Sequence, residues 1–249
     1  MKYGAVLVVL LLSLSTIERM YAGADALKPA EGETLLNAAD AAGVLAEISE
    51  TFKQAPYVRA QIVTEVEDLL LGKRVEEGTL LLDRSGRVMR KFSKPAVKMW
   101  LLDAGQLQEY NPKRKTVYVK DLTQAPKALK LIQAAATADV KTLEEIFDMH
   151  VFRYDKEGQK TYRLVLAAKT GGGSPMAYKW IQGRIAEKAL FFEEIEYVPN
   201  AGDRTLERYK EIQSIAKPAD AEFSLDAPAD VKRKVDIVAA SIESTENGK

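Results

Sequence analysis

The chain predicts an α+β fold built on one curved antiparallel sheet, and three observations carry that prediction. Apolar spacing of three to four residues over Glu33–Gln54 switches to a period of two at Pro56. It turns helical again between Gln124 and Asp148, then returns to two as far as Gln213. The breaks inside the period-two runs are short and turn-like, Arg84-Ser85-Gly86, Lys94-Pro95 and Asp103-Ala104-Gly105, so successive strands should lie side by side as a meander. Among the 249 residues there is no cysteine, which excludes disulfides, thiolate metal sites and anchoring through an acylated N-terminal cysteine.

The first residues read as a leader. Lys2 precedes an apolar run from Ala5 to Leu14, too short to span a bilayer, and Ala22-Gly23-Ala24 follows it. A secretory signal over 1–24, cleaved near Ala24 or Ala26, fits this order; the polar stretch Glu18–Tyr21 leaves an uncleaved anchor as the alternative. The rest suits one domain, expected over 31–231, with a polar tail at 232–249. Lys+Arg and Asp+Glu are both 36, so nothing in the charge attracts nucleic acid.

In chain order, Leu36, Ala39, Val44, Ile48 and Phe52 make Glu33–Gln54 an amphipathic helix, with Gly43 a weak point. Val58, Ala60, Ile62, Thr64 and Val66 then share one strand face, and Arg59, Gln61, Glu65 and Glu67 the other. Strands follow at Glu76–Asp83, through Arg87–Pro112, and at Lys115–Lys120. Two short helices are expected at Pro126–Ala136 and Asp139–Asp148, the second capped by Asp139. Five strands come next: Met149–Lys156, Thr161–Lys169, Met176–Arg184, Ala189–Val198 and Arg204–Gln213. Ala221–Leu225 is a candidate edge strand.

Catalytic chemistry finds little material. His150 is the single histidine, no G-x-S-x-G elbow exists, and a zinc site lacks ligands. The run Gly171-Gly172-Gly173 has neither the Lys-Ser/Thr ending nor the following helix of a phosphate loop. Glu144-Glu145 and Glu193-Glu194 are adjacent pairs whose members point apart, and Lys113-Arg114-Lys115 reads as a hairpin tip guarded against edge pairing. No enzyme, cofactor or metal is expected.

The singular feature is a charge. Counting by twos, Val88, Arg90 and Phe92 share a face, so Arg90 points with the apolar set. A guanidinium there marks either a buried ion pair or a ligand pocket. Leu80, Leu82, Met99, Trp100, Leu101, Leu102, Phe191 and Phe192 add to a strongly apolar face, fit either for an adaptable cavity or for an ordinary core.

The run Gly86-Arg87-Val88-Met89-Arg90-Lys91-Phe92-Ser93-Lys94-Pro95, then Asp103-Ala104-Gly105, then Tyr110-Asn111-Pro112, resembles the LolA-type periplasmic carriers of outer-membrane lipoproteins. The order of helix, strands, helix pair and the closing Phe223–Pro228 extends the resemblance over roughly Glu33 to Val231. It implies an incomplete, strongly curved antiparallel barrel of about ten or eleven strands, covered by an N-terminal helix and a helix-pair lid. It implies an acyl-chain cavity lined by Leu80, Leu82, Val88, Phe92, Trp100, Leu102, Leu129, Ile132, Phe147 and Phe192. Arg90 becomes a latch bonded to lid backbone between Pro126 and Asp148. The implied partners are an acylated lipoprotein cargo, an inner-membrane ABC exporter complex and an outer-membrane acceptor, all met in the periplasm. Lys91, where the family has an aromatic, Ala104 within the turn, and the long helix pair depart from the pattern. They leave a same-fold envelope lipid or glycolipid binder, or a sensor, as the alternative.

Overall fold

The structure is a computed structural model that describes residues 26–68, 72–123, 129–130, 133–135, 139–156, 158–169, 178–199 and 203–237. The expected leader, Ile132, the run Gly171–Gly173 and the end of the polar tail lie outside the described residues, as does much of the first lid helix.

Thirteen strands form one sheet: β1 (Glu33–Leu35), β2 (Tyr57–Asp68), β3 (Gly72–Asp83), β4 (Arg87–Lys94), β5 (Lys98–Asp103), β6 (Gln106–Asn111), β7 (Thr116–Asp121), β8 (Phe147–Lys156), β9 (Gln159–Ala168), β10 (Tyr178–Ala186), β11 (Glu194–Pro199), β12 (Arg204–Ser214) and β13 (Lys232–Ile237). Their spatial order is β1-β8-β9-β10-β11-β12-β2-β3-β4-β5-β6-β7-β13. Two meanders, β2–β7 and β8–β12, are therefore stitched together where β12 pairs with β2, from Arg204 opposite Glu67 to Ser214 opposite Val58. The sheet ends in two edges, β1 and β13, rather than closing. This is the incomplete barrel that the resemblance implies, with a short strand added at each edge.

The period-two pattern decides which side chains go where. Val58, Ala60, Ile62, Leu80, Leu82, Val88, Phe92, Trp100 and Leu102 are buried on the concave side, packed with Leu45, Ile48 and Phe52 of α1 (Ala38–Gln54). Leu81, Met89, Leu101, Val117 and Val119 alternate with them and face the convex side. Met99 and Leu101, grouped with the apolar inner face from sequence, belong to this outer set, because neighbours in a strand point to opposite faces.

The convex side is covered by the chain itself. After β12 the strand order requires a passage from the middle of the sheet to its far edge, where β13 pairs parallel to β7. The passage, from Ile215 to Val231, lays Phe223 and Leu225 on Leu81, Met89 and Leu101. Ion pairs hold it to the sheet: Arg59 to Glu222 at 2.5 Å, Arg87 to Asp220 at 2.9 Å and Lys91 to Asp226 at 3.1 Å. Lys91 is thus an outward anchor for this passage. Ala221–Leu225, a candidate strand, is instead a 3₁₀ turn at Asp220–Phe223 that turns Phe223 inward.

Local chemistry shifts other boundaries. Asn37 caps α1 by accepting from the Asp40 amide, so the helix starts at Ala38 and Glu33–Leu35 pairs with β8 instead. Asp139 caps α2 (Val140–Ile146) as expected, but the helix stops before Phe147, which begins β8. Ala189–Glu193, expected as strand, is irregular, and Phe191 and Phe192 leave the ladder to pack around Phe52 at ring distances of 6.2 and 6.0 Å. In the β5–β6 turn both Ala104 and Gly105 have positive φ, 47° and 77°. Two such residues suit the twist of a tight hairpin, and Gly105 also admits Leu129 within 3.3 Å of where a Cβ would stand. No helix among the described residues is long and apolar enough to cross a membrane.

Candidate functional site

The concave face gathers the residues singled out by sequence. Leu80, Leu82, Val88, Phe92, Trp100, Leu102 and Phe147 are buried in one cluster, with Leu129 and Phe192 partly buried against it. The cover over them comes in pieces. α1 contributes Leu45, Ile48 and Phe52, the helical residues 129–130 and 133–135 contribute Leu129 and Ala134, and α2 contributes Leu143. The two lid pieces are linked to each other by Lys130 and Glu145 at 3.0 Å.

Arg90 is inside, 2% exposed, as the alternation requires. Its partner differs from the expected latch. Nη1 donates to Glu207 Oε1 at 2.6 Å and Nη2 to Oε2 at 3.2 Å, a two-pronged pair, while Nη2 also reaches the Tyr209 hydroxyl at 3.3 Å. Tyr209 donates to the same carboxylate, and Tyr197 does so at 3.3 Å. No hydrogen bond of Arg90 among the described residues reaches the helix pair. The reason is geometric. β3, β2 and β12 follow β4 in the sheet, and the curl brings β12 within reach of an arginine across the concavity, so a full carboxylate outcompetes neutral carbonyls. Burial alone would lower the Arg90 pKa, but the Glu207 charge outweighs it and raises it; burial, then Glu207, raises Tyr209 well above the ordinary range.

The arginine that does fasten a helix is Arg84, which the sequence pattern places in the Arg84-Ser85-Gly86 turn. Its Nε donates to the Ala55 carbonyl at the end of α1 at 3.0 Å and Nη2 to the Leu190 carbonyl at 2.7 Å. The guanidinium lies 3.8 Å from the centre of the Phe52 ring. Burial lowers its pKa to about 10. The signal was present, since counting by twos from Leu80 and Leu82 puts Arg84 on the inner face.

The cross-strand register places one inner row as Leu80, Arg90, Trp100, Glu109, Tyr118 and Lys234. Beside it, Lys98 bonds to Glu76 at 2.6 Å and lies 4.7 and 4.8 Å from the Phe92 and Trp100 rings. Burial raises the Glu109 pKa and lowers that of Lys120. The concavity is thus apolar under the helices and becomes polar toward Glu76, Lys98 and Glu109. Four buried side-chain donors on this face, Thr64 Oγ1, Arg90 Nε, Trp100 Nε1 and Thr205 Oγ1, have no hydrogen-bond partner among the described residues; Arg90 and Trp100 are the two that stand directly opposite each other.

His150 stands on β8 between inward Met149 and Val151, so it faces away from this interior. Among the described residues no group of three or more His, Cys, Asp or Glu could hold a metal ion.

No family model matches the chain, and no curated protein matches it. Solved structures do. An uncharacterized conserved protein from Thermus thermophilus matches over 79% of this chain and 99% of its own, with a TM-score of 0.50 at 9% identity. A DUF1329 family protein from Desulfovibrio piger covers 76% of this chain and 98% of its own (TM-score 0.45, 12% identity). A LolA superfamily protein from Nitrosomonas europaea covers 74% and 97% (TM-score 0.39, 10% identity). At such identities the likeness is one of fold, and this curled-sheet architecture is shared with the Thermus protein.

Proposed function

We propose that this protein binds acyl chains in the bacterial cell envelope, between its concave sheet face and the helices over it, and acts as a periplasmic carrier of acylated lipoproteins. In this reading it takes cargo from an inner-membrane ABC exporter and hands it to an outer-membrane acceptor, and no covalent bond is made or broken. The observation that supports it is the interior: a broad apolar face, Leu80 to Phe147, whose cover comes in separate pieces, α1 fastened by Arg84, and the helical residues around Leu129 joined to α2 by the Lys130–Glu145 pair. Burial of an acyl chain is worth about 0.8 kcal/mol per CH₂, so a dozen methylenes give roughly 10 kcal/mol to set against displacing that cover. The Arg90–Glu207 pair ties the two meanders across the concavity and Arg84 fastens α1, which leaves the pieces around Leu129 and α2 as the part of the cover that moves.

The test is to purify the protein from membrane-containing cells, extract it for lipid and acylated cargo, and measure displacement of N-phenyl-1-naphthylamine. Bound acyl material and displaceable fluorophore are expected. A ligand-free protein that takes up no fluorophore would overturn the proposal and favour the second reading, a same-fold envelope sensor with a filled interior. Phe52, Phe191, Phe192 and Tyr209, packed ring on ring, are the observation on that side.

A further inference from the structure

Arg90 and Trp100 sit directly opposite each other on β4 and β5, both on the concave face, 2% and 4% exposed. Each keeps one N–H without a partner among the described residues, Arg90 Nε and Trp100 Nε1. A buried donor left unmade costs about 1–3 kcal/mol, and two on adjacent cross-strand residues point to an acceptor that arrives from outside the chain. The rest of the guanidinium is committed, since both Nη atoms bind Glu207.

The charge around the pair selects the acceptor. Arg90 is matched by Glu207, Lys98 and Arg74 share Glu76, and Glu109, next to Trp100 in the same row, has Lys98 and Lys120 as neighbouring cations. An incoming anion would meet a guanidinium whose charge Glu207 already matches. An uncharged carbonyl oxygen meets two idle donors and no repulsion. The hydrocarbon beyond that carbonyl has Phe92, Leu102 and Val88 of the same cluster to lie against.

We propose that the Arg90 Nε–H and the Trp100 Nε1–H form a seat for the carbonyl of an acyl ester, so that the protein prefers esterified acyl chains to free fatty acids and to bare hydrocarbon. This rests on the acyl-binding reading above and sharpens it to a ligand class. Specificity comes from the donors, because a site built to hydrogen-bond a group rejects analogues lacking it more strongly than an apolar wall does.

The chain has two tryptophans, Trp100 and Trp180, so Trp180→Phe leaves Trp100 as the single indole reporter. In ¹⁵N-labelled Trp180→Phe protein, methyl laurate should move the indole N–H resonance downfield, and dodecane and laurate should not. In N-phenyl-1-naphthylamine displacement, methyl laurate should compete about tenfold better than either, the effect of one hydrogen bond of about 1.4 kcal/mol. Trp100→Phe should collapse that ratio to within about threefold; a ratio is unaffected by any general loss of affinity. Equal competition by ester and hydrocarbon, or an indole resonance that responds alike to both, overturns the ester seat while leaving acyl binding intact. Failure of every apolar compound to displace the fluorophore, or of the fluorophore to bind, overturns both.

Discussion

The Arg90–Glu207 pair allows a worked prediction, because its two halves are unequal. Replacing Glu207 with Leu strands a guanidinium that is 2% exposed, keeps one acceptor in Tyr209, and cannot shed its proton. Replacing Arg90 with Met leaves a carboxylate that still accepts from Tyr197 and Tyr209. Breaking a buried pair costs about 3–5 kcal/mol, so Arg90→Met belongs near about 3 and Glu207→Leu near about 5. Together the changes leave an apolar pair of similar volume, expected within about 1 kcal/mol of the parent, which implies a coupling of roughly 7 kcal/mol. Urea unfolding followed by circular dichroism measures all four proteins. Thermal melts should show the Arg90→Met midpoint about 6–12 °C lower. Additive single effects, with coupling below about 0.5 kcal/mol, would refute the ion pair as a unit.

Arg84→Met should release the end of α1, lowering stability by about 2–4 kcal/mol and speeding amide exchange in Ala38–Gln54 before the sheet; Arg84→Lys should recover only part of this. Burial alone would raise the Glu33 pKa, but Arg163 and the Ala30 amide lower it below its ordinary 4.5. The stability that Glu33 contributes is therefore present above that value and lost as pH falls through the lowered one, so the deficit of Glu33→Gln should shrink below about pH 4.5 in acid titrations. Gly183→Ala should destabilise by about 1–3 kcal/mol in urea melts, since its new methyl would lie 2.6 Å from the Phe192 ring.

Alternation made most of the sheet legible. It put Arg90 with Val88 and Phe92, sent Lys91 outward, and marked both meanders from their turns. It failed where an element takes its identity from a distant partner. Lys232–Ile237 reads as polar tail because four of its six residues are charged and its two apolar ones, Val235 and Ile237, are too few to mark a buried face; Val235 stays exposed, and pairing with the edge of β7 makes the segment a strand. Phe191 and Phe192 look like strand residues, and what turns them inward is Phe52, well over a hundred positions earlier. The partner of Arg90 was illegible for the same reason. Glu207 lies between Leu206 and Arg208 in an ordinary alternating strand, and its meeting with Arg90 depends on how tightly the sheet curls.

The stitch between β2 and β12 also governs how the chain reaches its fold. Residues 57–68 emerge from the ribosome or the export channel about 140 positions before the strand that covers their open side. Until then the first meander carries a long unpaired edge bearing Val58, Ile62 and Val66, the kind of edge that recruits other chains. Loop closure over such a span is slow, so completion of the sheet is expected to limit the folding rate. Arg90 and Glu207 lie on opposite sides of that join, one on each meander, and a one-residue slip would send Glu207 to the far face. The buried charge pair thereby serves as a proofreading contact, satisfied by a single alignment of the two halves and costly in every other.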